Sequence, residues 1–232
     1  DPVLNNLRFA AFLFDKDGTL LNSIVAAERV WSHWAQKHGL DVMSFLPTIH
    51  GVRCIDTIRN LNLPGVDPEL EAAAISQAEI DDVEGVIEVA DAARLLASLP
   101  PERWAIVTSA PRALAEARLK AAGLKLPINI VTAEDVSQGK PAPDCFLLAA
   151  KRLGVDPKDC LVFEDAPAGI AAAEAAGASV GVITATHEHE MDTPHGTLPS
   201  YEGVTVVVDA GGLSLVRNRT AGAANRHSTE QP

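Results

Sequence analysis

The sequence predicts an α/β fold built on a parallel sheet, with a smaller all-α unit inserted near its start. Short apolar runs that each end in a polar turn alternate with alanine-rich stretches of helical spacing, a pattern typical of parallel sheets. One long segment without a convincing buried strand interrupts this alternation after the first apolar run. Because ligands bind at the carboxyl ends of such strands, functional residues are expected directly after each strand.

The predicted strands are the apolar runs, and the predicted helices lie between them. Strands are expected at residues 9–14, 104–108, 128–131, 161–163, 180–183 and 204–208. Helices are expected at residues 113–122, 144–153 and 168–176. Gly123 and Gly177 follow the first and last of these helices, where a glycine commonly ends a helix because it adopts the left-handed conformation without strain.

The interrupting segment predicts a helical cap over the carboxyl ends of the strands. Helical spacing recurs at residues 24–39 and 68–82. Trp31 and Trp34 are spaced to share one helix face, and we expect that face to form the cap's own core. The expected domains are therefore a core of residues 1–23 and 85–216, a cap of residues 24–84, and a flexible tail of residues 217–232 that is poor in large apolar side chains.

Composition limits the partners of the protein. The chain has 232 residues, with 19 Lys and Arg against 31 Asp and Glu, for a formal net charge of −12. This acidic excess argues against nucleic acid and anionic membranes, which bind cationic surfaces, and residues 9–14 are too few to span a membrane. The cysteines are odd in number and far apart, which predicts reduced buried thiols of a cytoplasmic protein and no disulfide or zinc framework: Cys54, Cys145 and Cys160.

Two aspartates follow the first predicted strand. In the run Phe-Leu-Phe-Asp-Lys-Asp-Gly-Thr-Leu, Asp15 and Asp17 stand two residues apart where an apolar strand opens into a glycine turn. Like charges this close repel each other unless one is protonated or a cation lies between them. A solvated, aspartate-rich turn is the alternative, but the position after a buried strand favours a functional pair.

Three further polar groups lie at strand ends or helix starts. Thr108 and Ser109 end the second strand, where they either bind an anion or cap the next helix. Lys140 precedes a helix that begins with proline, and its ammonium either faces an anion or is a surface charge. Glu164 and Asp165 end the fourth strand, where they either cap a helix or join the first aspartate to hold Mg²⁺, which engages carboxylates and substrate phosphate.

These four motifs, in this order and at strand ends, resemble those of the haloacid dehalogenase superfamily of phosphohydrolases. The insert resembles the helical cap of the first subclass of that superfamily. More narrowly, the chain is similar to 2-deoxyglucose-6-phosphate, glycerol-phosphate and related sugar or polyol phosphatases at residues 25–31, 50–53, 103–109 and 163–170. The resemblance spans residues 9–209 and implies a Rossmann-like core, Mg²⁺ as cofactor and a small phosphorylated sugar or polyol as substrate.

Carried over residue by residue, the resemblance implies catalytic roles for five side chains. Asp15 would be the nucleophile that forms an aspartyl-phosphate. Asp17 would protonate the leaving alcohol and then activate water, starting in a protonated form that the neighbouring Asp15 favours. Thr108 or Ser109 would donate a hydrogen bond to a phosphoryl oxygen, and Lys140 would neutralise the nucleophile and the transferring group.

Other residues are expected to bind the metal and the substrate. In the cap, Arg53 would reach the phosphate or the sugar hydroxyls from the turn at His50 and Gly51. Glu28 would accept a hydrogen bond from a sugar hydroxyl, and a surface position is the alternative for both Glu28 and Arg53. The resemblance implies that Mg²⁺ is held by Asp15, the backbone carbonyl of Asp17, Asp165 and, directly or through water, Glu164.

Three other functions are compatible with this fold. A dehalogenase is disfavoured, since that branch does not use the second aspartate of the first motif as an acid and base, whereas Asp17 is present. A sugar-phosphate mutase of the β-phosphoglucomutase type shares both aspartates and the cap, but its cap histidine falls at Ala27 and its cap arginine at Cys54, beside Arg53. An inactive binding module would have lost the nucleophile or Lys140. A phosphatase is therefore favoured, and it is expected to act as a monomer.

Two local features stand outside these motifs. Residues 187–195 contain three histidines and several carboxylates, but a polar loop is favoured over a transition-metal site because no supporting residues around such a site are apparent. Asn22 stands where the family often has an aspartate. This change keeps the hinge between core and cap polar without a charge.

Overall fold

The structure, a computed structural model, describes residue 4 and residues 7–218. Along the chain its elements are β1 (Ala11–Phe14), β2 (Leu21–Asn22), α1 (Ile24–Lys37), α2 (Val42–Phe45), α3 (Cys54–Leu61), α4 (Pro68–Asp81), β3 (Ile87–Glu88), α5 (Ala92–Ala97), β4 (Trp104–Val107), α6 (Arg112–Ala121), β5 (Ile130–Val131), α7 (Asp144–Leu153), β6 (Cys160–Glu164), α8 (Pro167–Ala176), β7 (Ser179–Ile183), β8 (Gly196–Leu198), β9 (Val204–Asp209) and β10 (Gly212–Arg217). Short 3₁₀ turns lie at Leu46–Thr48, Pro101–Arg103, Ala133–Asp135 and Pro157–Asp159.

The main sheet has six parallel strands in the order β5-β4-β1-β6-β7-β8. Strands β1, β4 and β6 are buried along their whole length because both faces of the sheet are covered, which accounts for their continuous apolar runs. Phe12 and Phe14 point to the face covered by α5, α6 and the β9-β10 hairpin. Ala11 and Leu13 point to the opposite face, against α7 and α8. The predicted parallel α/β core is therefore confirmed.

The registers of the central strands bring the predicted functional residues to one edge of the sheet. Phe14, the last residue of β1, pairs with Ile106 of β4 and with Phe163 of β6. Asp15 follows directly, and its backbone N–H still donates to the carbonyl of Phe163 (3.0 Å). The first aspartate, the end of β4 and Glu164 of β6 therefore leave the sheet side by side at its carboxyl edge.

Helices α1 to α4 pack around a core of their own. Trp31 and Trp34 are buried in it, with ring centroids 5.5 Å apart and planes at 80°, so the prediction that they form the cap's core is confirmed. Strands β2 and β3 pair antiparallel, and the chain enters and leaves the helical unit through this ribbon. Asn22 ends β2, where its side chain accepts from the backbone N–H of Ile24 (3.1 Å) at the start of α1. We propose residues 24–84 as the cap on this basis.

One predicted strand belongs elsewhere. Residues 204–208 form most of β9, which pairs antiparallel with β10 outside the main sheet, so the expectation that they join the parallel sheet is wrong. The sixth strand of the sheet is β8, whose three residues include Gly196 and Thr197 and therefore form no apolar run. The hairpin is held on the core by Leu213 and Leu215 of β10, which bury against it.

The other predicted elements match the structure to within one or two residues at each end. Cys145 and Cys160 are buried free thiols as predicted, whereas Cys54 is only half-buried. Arg217 ends β10 and so does not belong to a flexible tail, and residues 219–232 of the predicted tail lie outside the described residues. Within the described part of the chain, every helix is too short or too polar to cross a membrane.

Candidate active site

The nucleophile predicted from the sequence lies in a buried position after β1. Asp15 Oδ1 accepts a hydrogen bond from Lys140 Nζ (2.9 Å), and Oδ2 accepts one from Thr19 Oγ1 (3.0 Å). Gly18 turns the chain with φ +82°, and a Cβ at this position would overlap the carboxylate of Asp165. Glycine is therefore required both by the backbone conformation and by the close approach of the second acidic motif.

Lys140 is the central cation of the site. Its buried ammonium donates to Asp15 Oδ1 (2.9 Å), Glu164 Oε1 (2.7 Å) and the backbone carbonyl of Val107 (3.1 Å). Burial favours the neutral amine, but the carboxylates of Asp15 and Glu164 raise the pKa of Lys140 above its ordinary value. The ammonium is therefore charged at neutral pH and joins the first motif to the last.

Glu164 and Asp165 complete an acidic cluster with Asp15. One carboxylate oxygen from each of the three residues lies within 4.8 Å of the others. Burial, and then the charge of Asp15, raises the pKa of Glu164 to about 7, and the same causes raise the pKa of Asp165 well above its usual range. Gly169 permits this arrangement, because a Cβ there would overlap the Glu164 carboxylate. Three carboxylates converge on a region where their charges repel, a set of oxygen donors that suits a divalent cation.

The side chain of Asp17 points away from this cluster. It accepts hydrogen bonds from Ser23 Oγ (2.7 Å), Arg118 Nη1 (3.0 Å) and Lys16 Nζ (2.6 Å). Burial favours the neutral acid, but Lys16 and Arg118 together hold the pKa of Asp17 below its ordinary value. This arrangement does not favour the protonated Asp17 that the sequence predicts, because Lys16 and Arg118 outweigh the effect of burial.

The hydroxyls after β4 face the same cavity, with different partners. Thr108 Oγ1 accepts from the backbone N–H of Ala110 (3.1 Å), which leaves its proton available for a ligand. Ser109 Oγ donates to the backbone carbonyl of Gly51 in the cap (3.2 Å). Thr108 is thus free to donate to a phosphoryl oxygen, whereas Ser109 holds the cap against the core.

The substrate-binding residues predicted in the cap lie at different positions relative to the cavity. His50 lines the cavity and lies 3.6 Å from Glu28, with both side chains partly exposed. Gly51 approaches the core so closely that a Cβ would lie 2.7 Å from the Cβ of Ala166. Glu28 is not among the residues lining the cavity. His50 and Gly51 therefore line the cavity, and Glu28 lies beside His50 outside that lining.

The guanidinium of Arg53 is already engaged. It donates to both carboxylate oxygens of Asp56 (2.7 and 3.2 Å) and to the backbone carbonyls of Val136 and Ser137 in the core (3.0 and 3.1 Å). Substrate binding by Arg53, which the sequence predicts, would require these contacts to break. In this arrangement the residue docks the cap on the loop that leads to Lys140.

Two histidines of the loop at residues 187–195 form hydrogen bonds within the protein. His187 Nε2 donates to the backbone carbonyl of Asp165 (2.8 Å), and His195 Nε2 donates to Glu174 (2.7 Å). Among the described residues, Asp15, Glu164 and Asp165 are the group close enough to share an ion. The loop therefore supports the backbone of the second acidic motif.

The sequence analysis does not identify several residues that lie beside the site. Lys16 is fully buried beside Asp17, and Thr19 is bonded to Asp15, although both lie within the first motif and could have been identified there. Glu79 of α4 and Arg118 of α6 also line the cavity between cap and core. Nothing in the sequence marks these last two, because each is one of several charged residues on its helix.

Comparisons with known proteins agree with this geometry. A family model described as haloacid dehalogenase-like hydrolase matches residues 9–177. Hexitol phosphatase A of Escherichia coli (strain K12) is 40% identical over 219 residues, which cover 91% of this chain and 100% of that protein. Glycerol-1-phosphate phosphohydrolase 2 of Saccharomyces cerevisiae is 34% identical over 194 residues, covering 79% of this chain and 78% of that protein.

A solved structure extends the likeness to the fold. A hydrolase from Pseudomonas syringae superposes with a TM-score of 0.68 and 32% sequence identity, covering 76% of this chain and 84% of that one. The segment that the family model matches contains β1 with its two aspartates, the helical insert, Lys140 and the acidic pair after β6. With its parallel core and this buried site, the chain belongs to the family of haloacid dehalogenase-like hydrolases.

Proposed function

We propose that the protein is a Mg²⁺-dependent phosphatase that hydrolyses small sugar or polyol phosphate monoesters through an aspartyl-phosphate on Asp15. The observation that carries this proposal is the buried Asp15 carboxylate, which faces a cavity and is held between Lys140 and Thr19 beside two further acids. The similarity to a hexitol phosphatase and a glycerol-1-phosphate phosphohydrolase supports the substrate class.

The acidic cluster fits a magnesium ion. Its donors are all oxygens and lie within 4.8 Å of one another, and burial, followed by the charge of Asp15, raises the pKa values of Glu164 and Asp165. Asp15, Asp165 and the backbone carbonyl of Asp17 would hold the ion. Glu164 would act through water, since its oxygens already accept from Lys140 and from the N–H groups of residues 165 and 166. When bound, Mg²⁺ offsets the negative charge of the phosphoryl oxygens.

In the first half of the reaction, a carboxylate oxygen of Asp15 attacks phosphorus. The new bond joins Asp15 to phosphorus as the bond to the leaving alcohol oxygen breaks. Lys140 stabilises the transferring group because its ammonium is already fixed 2.9 Å from Asp15 and needs no reorganisation. The hydroxyl of Thr108 donates to a phosphoryl oxygen.

Asp17 moves the protons in both halves of the reaction. It gives a proton to the leaving oxygen and then takes one from the water that attacks phosphorus and frees Asp15. The ionised form favoured by Lys16 and Arg118 suits the second half. For the first half Asp17 has to be protonated, so we expect its contacts with these two cations to change when substrate binds.

A metal-dependent release assay tests this function. We expect inorganic phosphate to be released from a panel that includes sorbitol 6-phosphate, glycerol 1-phosphate and 2-deoxyglucose 6-phosphate when Mg²⁺ is present. EDTA should reduce release to background, and added Mg²⁺ should restore it, because the three acids bind the phosphoryl group poorly without a cation. Interconversion of sugar phosphates without net release would contradict the proposal and indicate a mutase instead.

Substitution of Gly51 tests the closure of the cap. Gly51 lies at the cap–core boundary with a left-handed backbone (φ +78°). In Gly51→Ala the added Cβ would lie 2.7 Å from the Cβ of Ala166. We expect a loss of about 1–3 kcal/mol in the free energy of unfolding from the backbone strain, and a fall in kcat/KM of about tenfold or more because the cap is displaced.

The matched control is Gly65→Ala. Gly65 also lies in the cap with positive φ (+70°), but a Cβ there meets nothing within 4 Å. This variant should lose similar stability in urea denaturation and keep its kcat/KM. Equal kcat/KM values for the two variants would show that the approach of Gly51 to the core does not matter for catalysis.

A further inference from the structure

The cavity between cap and core contains a pair of buried charges to which the proposed reaction gives no contact with the substrate. Glu79 comes from α4 of the cap and Arg118 from α6 of the core, and both are at least 95% buried, with exposures of 5% and 4%. Glu79 Oε1 lies 3.3 Å from Arg118 Nη2. Burial raises the pKa of Glu79, although the guanidinium beside it opposes this rise. Burying two charges is unfavourable unless further polar groups satisfy them.

Arg118 has unused hydrogen-bonding capacity. Its Nη1 donates to Asp17 (3.0 Å), but Nε and Nη2 are buried without a hydrogen-bond partner in the described part of the chain. The contact of Nη2 with Glu79 is thus an ion pair that lacks the alignment of a hydrogen bond. Since buried donors are nearly always satisfied in folded proteins, two such nitrogens on a residue that lines a cavity point to an acceptor supplied from that cavity.

The position of the pair relates it to the leaving alcohol. If Asp17 protonates the leaving oxygen, the carbon chain attached to that oxygen lies next to Asp17. Arg118 contacts Asp17 through Nη1 and Glu79 through Nη2. The apolar ring of Trp31 lines the same cavity and offers a surface for carbon atoms. The hydroxylated carbon chain of the leaving alcohol therefore meets one hydrogen-bond donor, Arg118, and one acceptor, Glu79.

We propose that Glu79 and Arg118 form the subsite that binds the hydroxyl groups of the leaving alcohol, with Glu79 accepting and Arg118 donating. The subsite rests on the proposed phosphatase function and determines its substrate class. A second anionic group in the subsite would have to lie against the buried carboxylate of Glu79, whereas the hydroxyl of a neutral polyol can donate to it.

Substrates of matched size test the subsite. Glycerol 1-phosphate and propyl phosphate share a three-carbon chain, and propyl phosphate lacks the hydroxyls. We expect the native protein to prefer glycerol 1-phosphate about 10-fold to 100-fold in kcat/KM, since the subsite loses hydrogen bonds to charged groups with the other ester. Glu79→Gln should reduce this ratio about tenfold, and Arg118→Met should reduce it at least as much. Each ratio is measured on one preparation, so the folded fraction cancels.

A carboxylate analogue and a control variant complete the experiment. 3-Phosphoglycerate carries an anionic group in place of the terminal alcohol, and its kcat/KM relative to propyl phosphate should rise in Glu79→Gln because a repelling charge is removed. Glu69→Gln makes the same change on α4 at an exposed position and should leave every ratio unchanged.

The possible failures of the two proposals differ. Equal kcat/KM for glycerol 1-phosphate and propyl phosphate in the native protein would overturn the subsite and leave the phosphatase function intact. If Glu79→Gln lowers kcat/KM for both esters by the same factor, the subsite is likewise overturned and the phosphatase function stays intact. Absence of Mg²⁺-dependent phosphate release from all the esters would overturn the proposed function and the subsite with it.

Discussion

Asp15→Asn is expected to abolish phosphate release, with kcat/KM at least about 10³-fold lower than in the native protein. The amide keeps the size of the side chain but is neutral and a poor nucleophile, so the bond from residue 15 to phosphorus does not form. The measurement is steady-state release of inorganic phosphate at saturating Mg²⁺ from the best substrate of the panel. Release that persists near the native rate would contradict the proposed mechanism.

The same substitution is expected to leave the fold intact. The amide oxygen still accepts from Lys140, and the amide NH₂ group can donate to the hydroxyl of Thr19. One of three mutually repelling carboxylates disappears, so the free energy of unfolding should stay within about 1 kcal/mol of the native value. Asp156→Asn is the control: it makes the same change before β6, at the opposite edge of the sheet, and should leave kcat/KM unchanged.

Chemical trapping separates a covalent intermediate from direct attack by water. Borohydride reduces an acyl phosphate to an alcohol and would convert residue 15 to homoserine in protein quenched during turnover. Mass spectrometry of the peptide that contains Asp15 should detect this change in the native protein and not in Asp15→Asn. Turnover without any modified peptide would indicate that Asp15 assists water and does not itself attack phosphorus.

The main features of the fold and the acidic site were predictable because they depend on strand periodicity. A parallel sheet brings the ends of β1, β4 and β6 to one edge, so residues that follow apolar runs in the sequence meet in space. The contacts of Asp15 with Lys140, and of Lys140 with Glu164, arise in this way. The sequence does not predict strand β8, because its three residues form no apolar run.

Contacts between the cap and the core were not predictable from sequence. Glu79 and Arg118 lie on helices 39 positions apart in the chain, and only the packing of α4 on α6 brings them together. The charges around Asp17 are not predictable for the same reason, since Arg118 is one of the two cations beside it. The sequence predicts that Arg53 reaches the substrate, and it gives no sign of the backbone carbonyls of residues 136 and 137 that accept from its guanidinium.

Lys140→Met is expected to destabilise the protein more than any other substitution in the site. The ammonium donates to Asp15, Glu164 and the carbonyl of Val107 in a position that is 3% exposed. Methionine preserves the length of the apolar stem but leaves two buried carboxylates without their cation. Breaking a buried ion pair in this way costs about 3–5 kcal/mol, which we expect to measure as a lower free energy of unfolding in urea without metal.

Activity should also fall in Lys140→Met, by about 10²-fold to 10³-fold in kcat/KM, the loss typical of removing one preorganised group that stabilises charge in the transition state. Lys158→Met is the matched control. Lys158 pairs with Asp156 at 3.5 Å, and both side chains are more than half exposed (71% and 52%), so its removal should change the free energy of unfolding by less than about 1 kcal/mol and leave kcat/KM unaffected.

The effect of Mg²⁺ on stability distinguishes neutralisation of Asp15 and Glu164 by Lys140 from other stabilising contacts of this lysine. If the instability arises from Asp15 and Glu164 losing their counter-charge, a cation bound among the three acids replaces part of that charge. Binding to the folded state alone also stabilises it by mass action. Mg²⁺ should therefore raise the free energy of unfolding of Lys140→Met more than that of the native protein, in which the ammonium already supplies a positive charge. An equal rise in both proteins would mean that the ion and Lys140 act independently, and that the lysine stabilises the site through other contacts such as the cation–π contact with Phe146, whose ring centroid lies 5.1 Å from its ammonium.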